Sequence, residues 1–391
     1  MVGAGPEAKR LSGAGNRRSS AERSLSMYTG EAPDCGKTGL DLAGFGRILV
    51  MFIRISPRSP LPGSLSEGPA PFCRLVAPPA MSPIVTLTLN PAIDKNTSVN
   101  RVVAEDKLRC NAPSREPGGG GINVSRVVRR LGGASRALYT SGGPTGEMLG
   151  SLLADEGLDH RPLPVEEWTR ENLIVSEIST GRQFRFGMPG PTLTAAEVEA
   201  CLEALRALDP APQYLVASGS LPPGVPSDTY TAVAETARAL GARPILDTSG
   251  AALHEARAAG WYLLKPNLRE LQQLAGRTLE TDPERIEAAR GFIDQGWCKG
   301  IVLSMGAAGA LLVTAEATLH VRSPTVPIES RVGAGDSMVG GLVLALSRGW
   351  PLPDALRFGV AAGAAAVMTP GTELCRRADT ERLYEQMRPG A

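Results

Sequence analysis

Between residues 214 and 347, short apolar runs alternate with helical patterns, and most runs end in a polar or glycine-rich turn. Strands are expected at 214–217, 244–246, 261–264 and 301–303, with helices such as 230–240 and 283–295 between them. Parallel neighbours need a crossover, so this alternation predicts a mainly parallel sheet with helices on both faces. The turns after the strands are Ser218-Gly219-Ser220-Leu221-Pro222-Pro223-Gly224, Asp247-Thr248-Ser249-Gly250, Lys265-Pro266-Asn267 and Ser304-Met305-Gly306. They should gather on the one edge where open α/β sheets bind ligands.

The chemistry points to Val332-Gly333-Ala334-Gly335-Asp336-Ser337-Met338. Val339, Leu342, Val343 and Leu346 share one apolar face of the helix that follows. Glycines admit a close ligand, and the free amides and positive dipole end of the helix suit a phosphoryl group gaining charge. Asp336 at the rim could accept a proton from an attacking hydroxyl. The plainer reading is an aspartate N-cap after a glycine-rich turn.

The pattern begins near Met81. Val85, Leu87 and Leu89 alternate with Thr86 and Thr88, and Asn90-Pro91-Ala92-Ile93-Asp94 then reads as a turn carrying a carboxylate past a strand end. Residues 117–123 contain four consecutive glycines, Gly118 to Gly121, and lead into a helix with Val124, Val127, Val128 and Leu131 on one face. Asn123 fills the third glycine position of a dinucleotide fingerprint, so that reading fails. A wall of Gly119 and Gly120 against a sugar, with Asn123 bonding its hydroxyls, competes with a merely flexible loop. A helix is expected over 145–157, and Thr194 with Glu197 forms a capping box for another. A hairpin over 168–190 carries Arg170 and Arg185, whose forks suit phosphate oxygens unless they only solvate a surface. Asn267 and Glu270 suit Mg²⁺ held through water, or simply begin a helix.

Residues 1–80 carry Gly, Ser, Pro and Arg without sustained periodicity and read as a disordered extension. Met81, followed at once by a strand, offers a second reading in which translation begins there. The run Gly30 to Thr38 resembles a phosphate-binding loop but has five residues between its glycines where four are needed. Lys+Arg 41 against Asp+Glu 40 gives no net field to attract nucleic acid or a membrane surface. Three histidines make a histidine metal site or a Ser-His-Asp triad a poor expectation. Six scattered cysteines, with no CxxC pair, read as reduced thiols of a cytoplasmic protein. No apolar run reaches transmembrane length.

Together, Gly118-Gly119-Gly120-Gly121-Ile122-Asn123, Ser218 to Gly224, Lys265-Pro266-Asn267 with Glu270, and Gly333-Ala334-Gly335-Asp336 resemble the ribokinase-like sugar kinases. The resemblance runs from residue 83 to about 388. Lys107-Leu108-Arg109-Cys110, Trp168 to Leu173 and Met188-Pro189-Gly190 place it in the phosphofructokinase B branch. It implies a ribokinase-like α/β fold with a small β-sheet lid, at about 95–116 and 168–190, over a single kinase domain at 81–391. It also implies ATP-dependent phosphorylation of the 1-hydroxyl of fructose 6-phosphate, with tagatose 6-phosphate and fructose 1-phosphate as alternative substrates. A non-catalytic sugar-phosphate sensor is the alternative of another class. On that pattern Asp336 is the general base, and the amides of Gly333, Ala334 and Gly335 form the anion hole. Asp94, Gly119, Gly120, Asn123 and Ser220 surround the sugar, while Arg170, Arg185 and Lys107 meet its phosphate. Lys265, Asn267, Ser304, Gly306 and Gly309 hold ATP, and Glu270 with Asn267 orders Mg²⁺. Some members bind K⁺ through backbone carbonyls of the 330–332 turn and a later loop, here Thr369 to Glu373, where Thr369 and Glu373 depart from the pattern. Lids of this kind pair into homodimers.

Overall fold

A computed structural model describes residues 83–388. The expectations for residues 1–80, and the loop at 30–38, lie outside the described residues. In chain order the strands and helices are β1 (Ile84–Thr88), β2 (Ala92–Val99), β3 (Ser114–Gly118), α1 (Gly120–Arg130), β4 (Arg136–Ser141), α2 (Gly143–Asp155), β5 (Asp159–Pro164), β6 (Arg170–Glu177) and β7 (Gln183–Phe186). There follow α3 (Ala195–Arg206), β8 (Tyr214–Ser218), α4 (Thr229–Ala239), β9 (Arg243–Asp247), α5 (Gly250–Ala256), β10 (Trp261–Leu264), α6 (Leu268–Ala275), α7 (Asp282–Asp294) and β11 (Cys298–Ser304). The last are β12 (Ala310–Thr314), β13 (Thr318–Val321), α8 (Ala334–Ser347), α9 (Leu352–Val367) and α10 (Arg377–Gln386).

Nine strands form one sheet in the order β13-β12-β11-β10-β9-β8-β1-β4-β5. Every pair from β11 to β5 is parallel, and β12 and β13 continue antiparallel. All five residues of β1 and of β8 are buried, as expected of strands covered on both faces. Alternation divides them between two cores. Leu215 and Ala217 join Leu205, Val233 and Phe292 on one side, while Tyr214 and Val216 join Val124, Leu342 and Ala361 on the other. The sheet grows one way from β1 through β4 and the other way through β8, so the ends of β1 and β8 flank a topological switch point.

A second sheet, ordered β3-β2-β6-β7, stands apart from the first. Its β6–β7 hairpin is the predicted one, with Gly181 in the turn at φ +68° and Arg185 opposite Ile174. Asp94 differs from its expectation. It lies in β2, opposite Glu116 and Asn172, because pairing with β3 and β6 draws the chain straight beyond Pro91.

Helix α8 departs from the expected one-faced pattern, since Ser337 to Leu346 are all buried. It is enclosed by α1 and α9, and small residues make that possible. A Cβ on Gly340 would stand 2.5 Å from Val127 Cγ1, and one on Gly341 would stand 2.9 Å from Ala362 Cβ. Gly341→Val should therefore pry α8 from α9 and cost about 1–3 kcal/mol. Urea unfolding would read this as a lower midpoint at unchanged slope, and an unchanged midpoint would refute the packing argument.

Candidate active site

Gly333, at φ +70°, is the N-cap of α8, and the first α8 bond runs from Ser337 N to Gly333 O at 2.8 Å. The amides of Ala334, Gly335 and Asp336 therefore precede intrahelical bonding and face the sheet edge with the positive end of the dipole. Asp336 is the third helical residue and caps nothing. Its Oδ2 instead accepts a 2.8 Å hydrogen bond from Asn123 Nδ2 in α1. This answers the N-cap alternative: the acid is turned towards the glycine loop, a partner 213 residues away.

The glycines at 118–121 are explained mostly by protein packing. A Cβ on Gly120 would lie 2.2 Å from Ser218 Oγ, and one on Gly121 2.7 Å from Leu87 O. Gly119 has φ +113° and would press on Thr88. The start of α1 thus sits directly on the ends of β1 and β8, with Gly119 and Gly120 half-buried. Beside them Ser220 Oγ accepts from Asn90 Nδ2 at 3.0 Å. Asp94 Oδ1 accepts from Asn172 Nδ2 at 2.8 Å, and its carboxylate lies over Gly118.

On the other side of α8, the buried Lys265 ammonium pairs with Asp247 Oδ1 at 3.0 Å, and a Cβ on Gly335 would stand 3.9 Å from it. Burial pulls this ammonium down, but Asp247, Glu270 and Asp336 together more than offset it and hold the charge. Asn267 and Glu270 form a reciprocal capping box for α6, with Glu270 Oε2 accepting from Asn267 N and Asn267 Oδ1 from Glu270 N. Burial raises the Glu270 carboxyl against that bond and against Lys265. Asn267 bridges to Ser304, which brings the β11 turn alongside. Gly309 there has φ +91° and approaches Val321 O so closely that a Cβ would lie 2.0 Å away, while Gly306 takes φ +57°. Two glycines thus serve turn geometry directly.

The three basic residues are less unified. Arg170 spends its fork on protein carbonyls: Nη2 on Asn90 O and Nη1 on Met188 O, both at 2.9 Å, and Nε on Pro91 O at 3.3 Å. Arg185 is exposed on β7, on the same face of the small sheet as Arg170 and Asp94. Lys107 is exposed in the loop after β2, and its ammonium pairs with no carboxylate among the described residues. The 330–332 and 369–373 loops meet, with Ser330 Oγ donating to Gly371 O at 2.6 Å. Asp247, Asn90, Asn172 and Arg126 escaped the sequence reading as site residues. Only Asp247 carried a signal, a carboxylate at a parallel strand's C-terminal end.

Burial raises Asp336 to about 6, helped by Asp247 and Asp94 and opposed by the Asn123 hydrogen bond and Lys265. An acid raised in this way beside a helix N-terminus, with a lysine clamped nearby by Asp247, suits transfer of an anionic group. The chain belongs to the pfkB family of carbohydrate kinases, whose pattern matches residues 83–379. It is 48% identical over 302 residues to the ATP-dependent 6-phosphofructokinase isozyme 2 of Mycobacterium tuberculosis, covering 77% of this chain and 89% of that protein. The Escherichia coli isozyme 2 is 44% identical, at 77% and 97% coverage. The crystal structure of Escherichia coli phosphofructokinase-2 with potassium superposes with a TM-score of 0.76 at 44% identity, over 78% of this chain and 99% of that one. Its complex with fructose-6-phosphate gives a TM-score of 0.74 at 42% identity, over the same shares.

The raised Asp336 has a consequence for stability. The native carboxyl binds its proton more tightly than the unfolded one, so ionising it costs stability. That cost is absent below about pH 4, grows between there and about 6, and is constant above. Asp336→Asn should therefore gain on the order of 1–3 kcal/mol at pH 8 and nothing near pH 3.5, read from melting temperatures at both values.

Proposed function

We propose that this chain transfers the γ-phosphoryl group of ATP to the 1-hydroxyl of fructose 6-phosphate, giving fructose 1,6-bisphosphate and ADP. The observation that carries the reading is Asp336, in the first turn of α8 but capping nothing, held by Asn123 beside the free amides of that helix. In this mechanism Asp336 takes the hydroxyl proton, the resulting oxygen attacks the γ-phosphorus, and the bond to the bridging oxygen of ADP breaks. The amides of Gly333, Ala334 and Gly335 receive the charge on the transferring group, for which positioning and electrostatics matter more than covalent help. Asp94, Asn123, Ser220 and the edge of Gly119 and Gly120 border the sugar. Its phosphate lies towards Arg185 and Lys107, while Arg170 shapes the wall through its carbonyl contacts.

Lys265, Asn267 and the turn from Ser304 to Gly309 border the nucleotide side. A half-used Glu270 carboxylate, with no cluster of three or more acids, Cys or His among the described residues, fits Mg²⁺ held through waters and phosphates by Glu270 and Asn267. When bound, the ion neutralises phosphate charge. The seam between 330–332 and 369–373 offers backbone carbonyls suited to K⁺. Residues 95–116 and 168–190 serve as a lid on the domain at 81–391. Val103, Trp168, Ile178, Phe186 and Met188, exposed large apolar side chains within or flanking the small sheet's segments, favour a homodimer through it. The four described cysteines are unpaired, which fits the reducing cytoplasm, and no described helix is long and apolar enough to cross a membrane.

The test compares ADP release with MgATP and fructose 6-phosphate, tagatose 6-phosphate or fructose 1-phosphate. Fructose 6-phosphate should be preferred, and Asp336→Asn should cost about 10²–10⁴ in kcat. Binding of a sugar phosphate without turnover would overturn the enzyme reading and favour a sensor. The base must be ionised to act, so kcat should hold above about 6 and fall about tenfold per pH unit below it.

A further inference from the structure

Arg126 lies in the middle of α1, 2% exposed, among the fully buried Val124, Val127 and Val128. A guanidinium withdrawn from water needs a counter-charge and partners for its donors. Glu156, just beyond α2, supplies both, with Oε2 at 2.9 Å from Nε and Oε1 at 2.6 Å from Nη2. Glu116 Oε2 stands 3.8 Å from Nη2. The remaining arm, Nη1, donates to Pro117 O at 2.9 Å and to Asn123 Oδ1 at 3.3 Å. Asn123 precedes Arg126 by three residues, so the two share a helix face. The two ends of a carboxamide have nearly the same shape, and an unaided Asn123 can present either to a neighbour. Arginine carries donors only and therefore takes the oxygen end. The amide nitrogen is then left facing Asp336 Oδ2, at 2.8 Å.

We infer that Arg126, anchored by Glu156, is a positioning residue for phosphoryl transfer: it orients the Asn123 amide and, through it, the Asp336 carboxylate. The inference rests on the reading of Asp336 as the base. That amide favours the ionised carboxylate against burial. The other groups facing Asp336 are Asp247 at the end of β9, Lys265 after β10 and Asp94 in β2, none of which touches Arg126.

The test uses Arg126→Lys, which keeps a cation beside Glu156 but cannot fork to Glu156, Pro117 and Asn123 together. Expected are a kcat about 10- to 100-fold lower, an acid limb of the kcat–pH profile moved to higher pH, and an unchanged KM for ATP. In an Asn123→Ala background the same substitution should cost nothing further. Glu156→Gln, which loosens the anchor and keeps the fork, should move kcat and the limb the same way by less, and it carries the comparison if Arg126→Lys melts early. A folded Arg126→Lys with wild-type kcat and pH profile overturns the inference, as does a loss that multiplies fully with Asn123→Ala or a Glu156→Gln without any shift. Asp336→Asn is assayed alongside. If it retains turnover, the base assignment falls and this inference with it; if it is inactive while Arg126→Lys is unaffected, this inference alone falls.

Discussion

Helix α8 reaches the sheet edge at one depth only, because glycine lets the neighbouring backbones close on it. Gly340 meets Val127, Gly341 meets Ala362, and Gly363 of α9 comes so near that a Cβ there would stand 3.1 Å from Ala334 O. Gly333 lies under Leu374, at a positive φ that a side chain would strain. Interiors packed this closely do not yield by fractions of an ångström without penalty. Asp336 comes one residue before a stretch buried on every side, so its carboxylate inherits the rigidity of the core while standing at its margin.

Around that margin, charge is balanced locally. Asp247 clamps Lys265, and Lys265 in turn offsets part of the penalty on Asp336 and Glu270. Asn123 holds the acid from the opposite side, itself held by a buried arginine. In a region of low dielectric each of these contacts is stronger than it would be in water, and an unpartnered member would be correspondingly expensive. The site is one connected polar network, with α1, α8 and the ends of β9 and β10 each supplying a part.

The small sheet is tied into the same region by side chains. Asn96 of β2 donates to Thr372 Oγ1 at 2.9 Å, and Thr372 donates to Glu116 of β3 at 2.8 Å. Thr372 belongs to the loop that also receives Ser330 through Gly371 O. A continuous set of contacts therefore joins the small sheet to the turn that precedes α8. Arg170 closes the other end by gripping the carbonyls of Asn90, Pro91 and Met188.

Periodicity in the sequence determined the alternating strands and helices and the edge on which their turns gather, because buried parallel strands and amphipathic helices leave separate repeats of 2 and 3.6. Local chemistry was as readable: the capping boxes at Thr194 and Asn267, and the glycine start of α8, need only neighbours in the chain. What tertiary structure decided was which way each polar group turns. Glu270 looked equally like a cap and a metal ligand; the cap takes only its Oε2, and the fold adds burial beside Lys265 and Asp247. Arg170 looked like a phosphate fork, and the fold gives its nitrogens three carbonyls, two from the turn between β1 and β2 and one from the segment after β7. Arg126 in an apolar helix gave no sign of its partner, since Glu156 arrives from another helix. Arg126 with Glu156 and Asn123 with Asp336 join residues 30 and 213 positions apart across the fold, and no local repeat records such pairings.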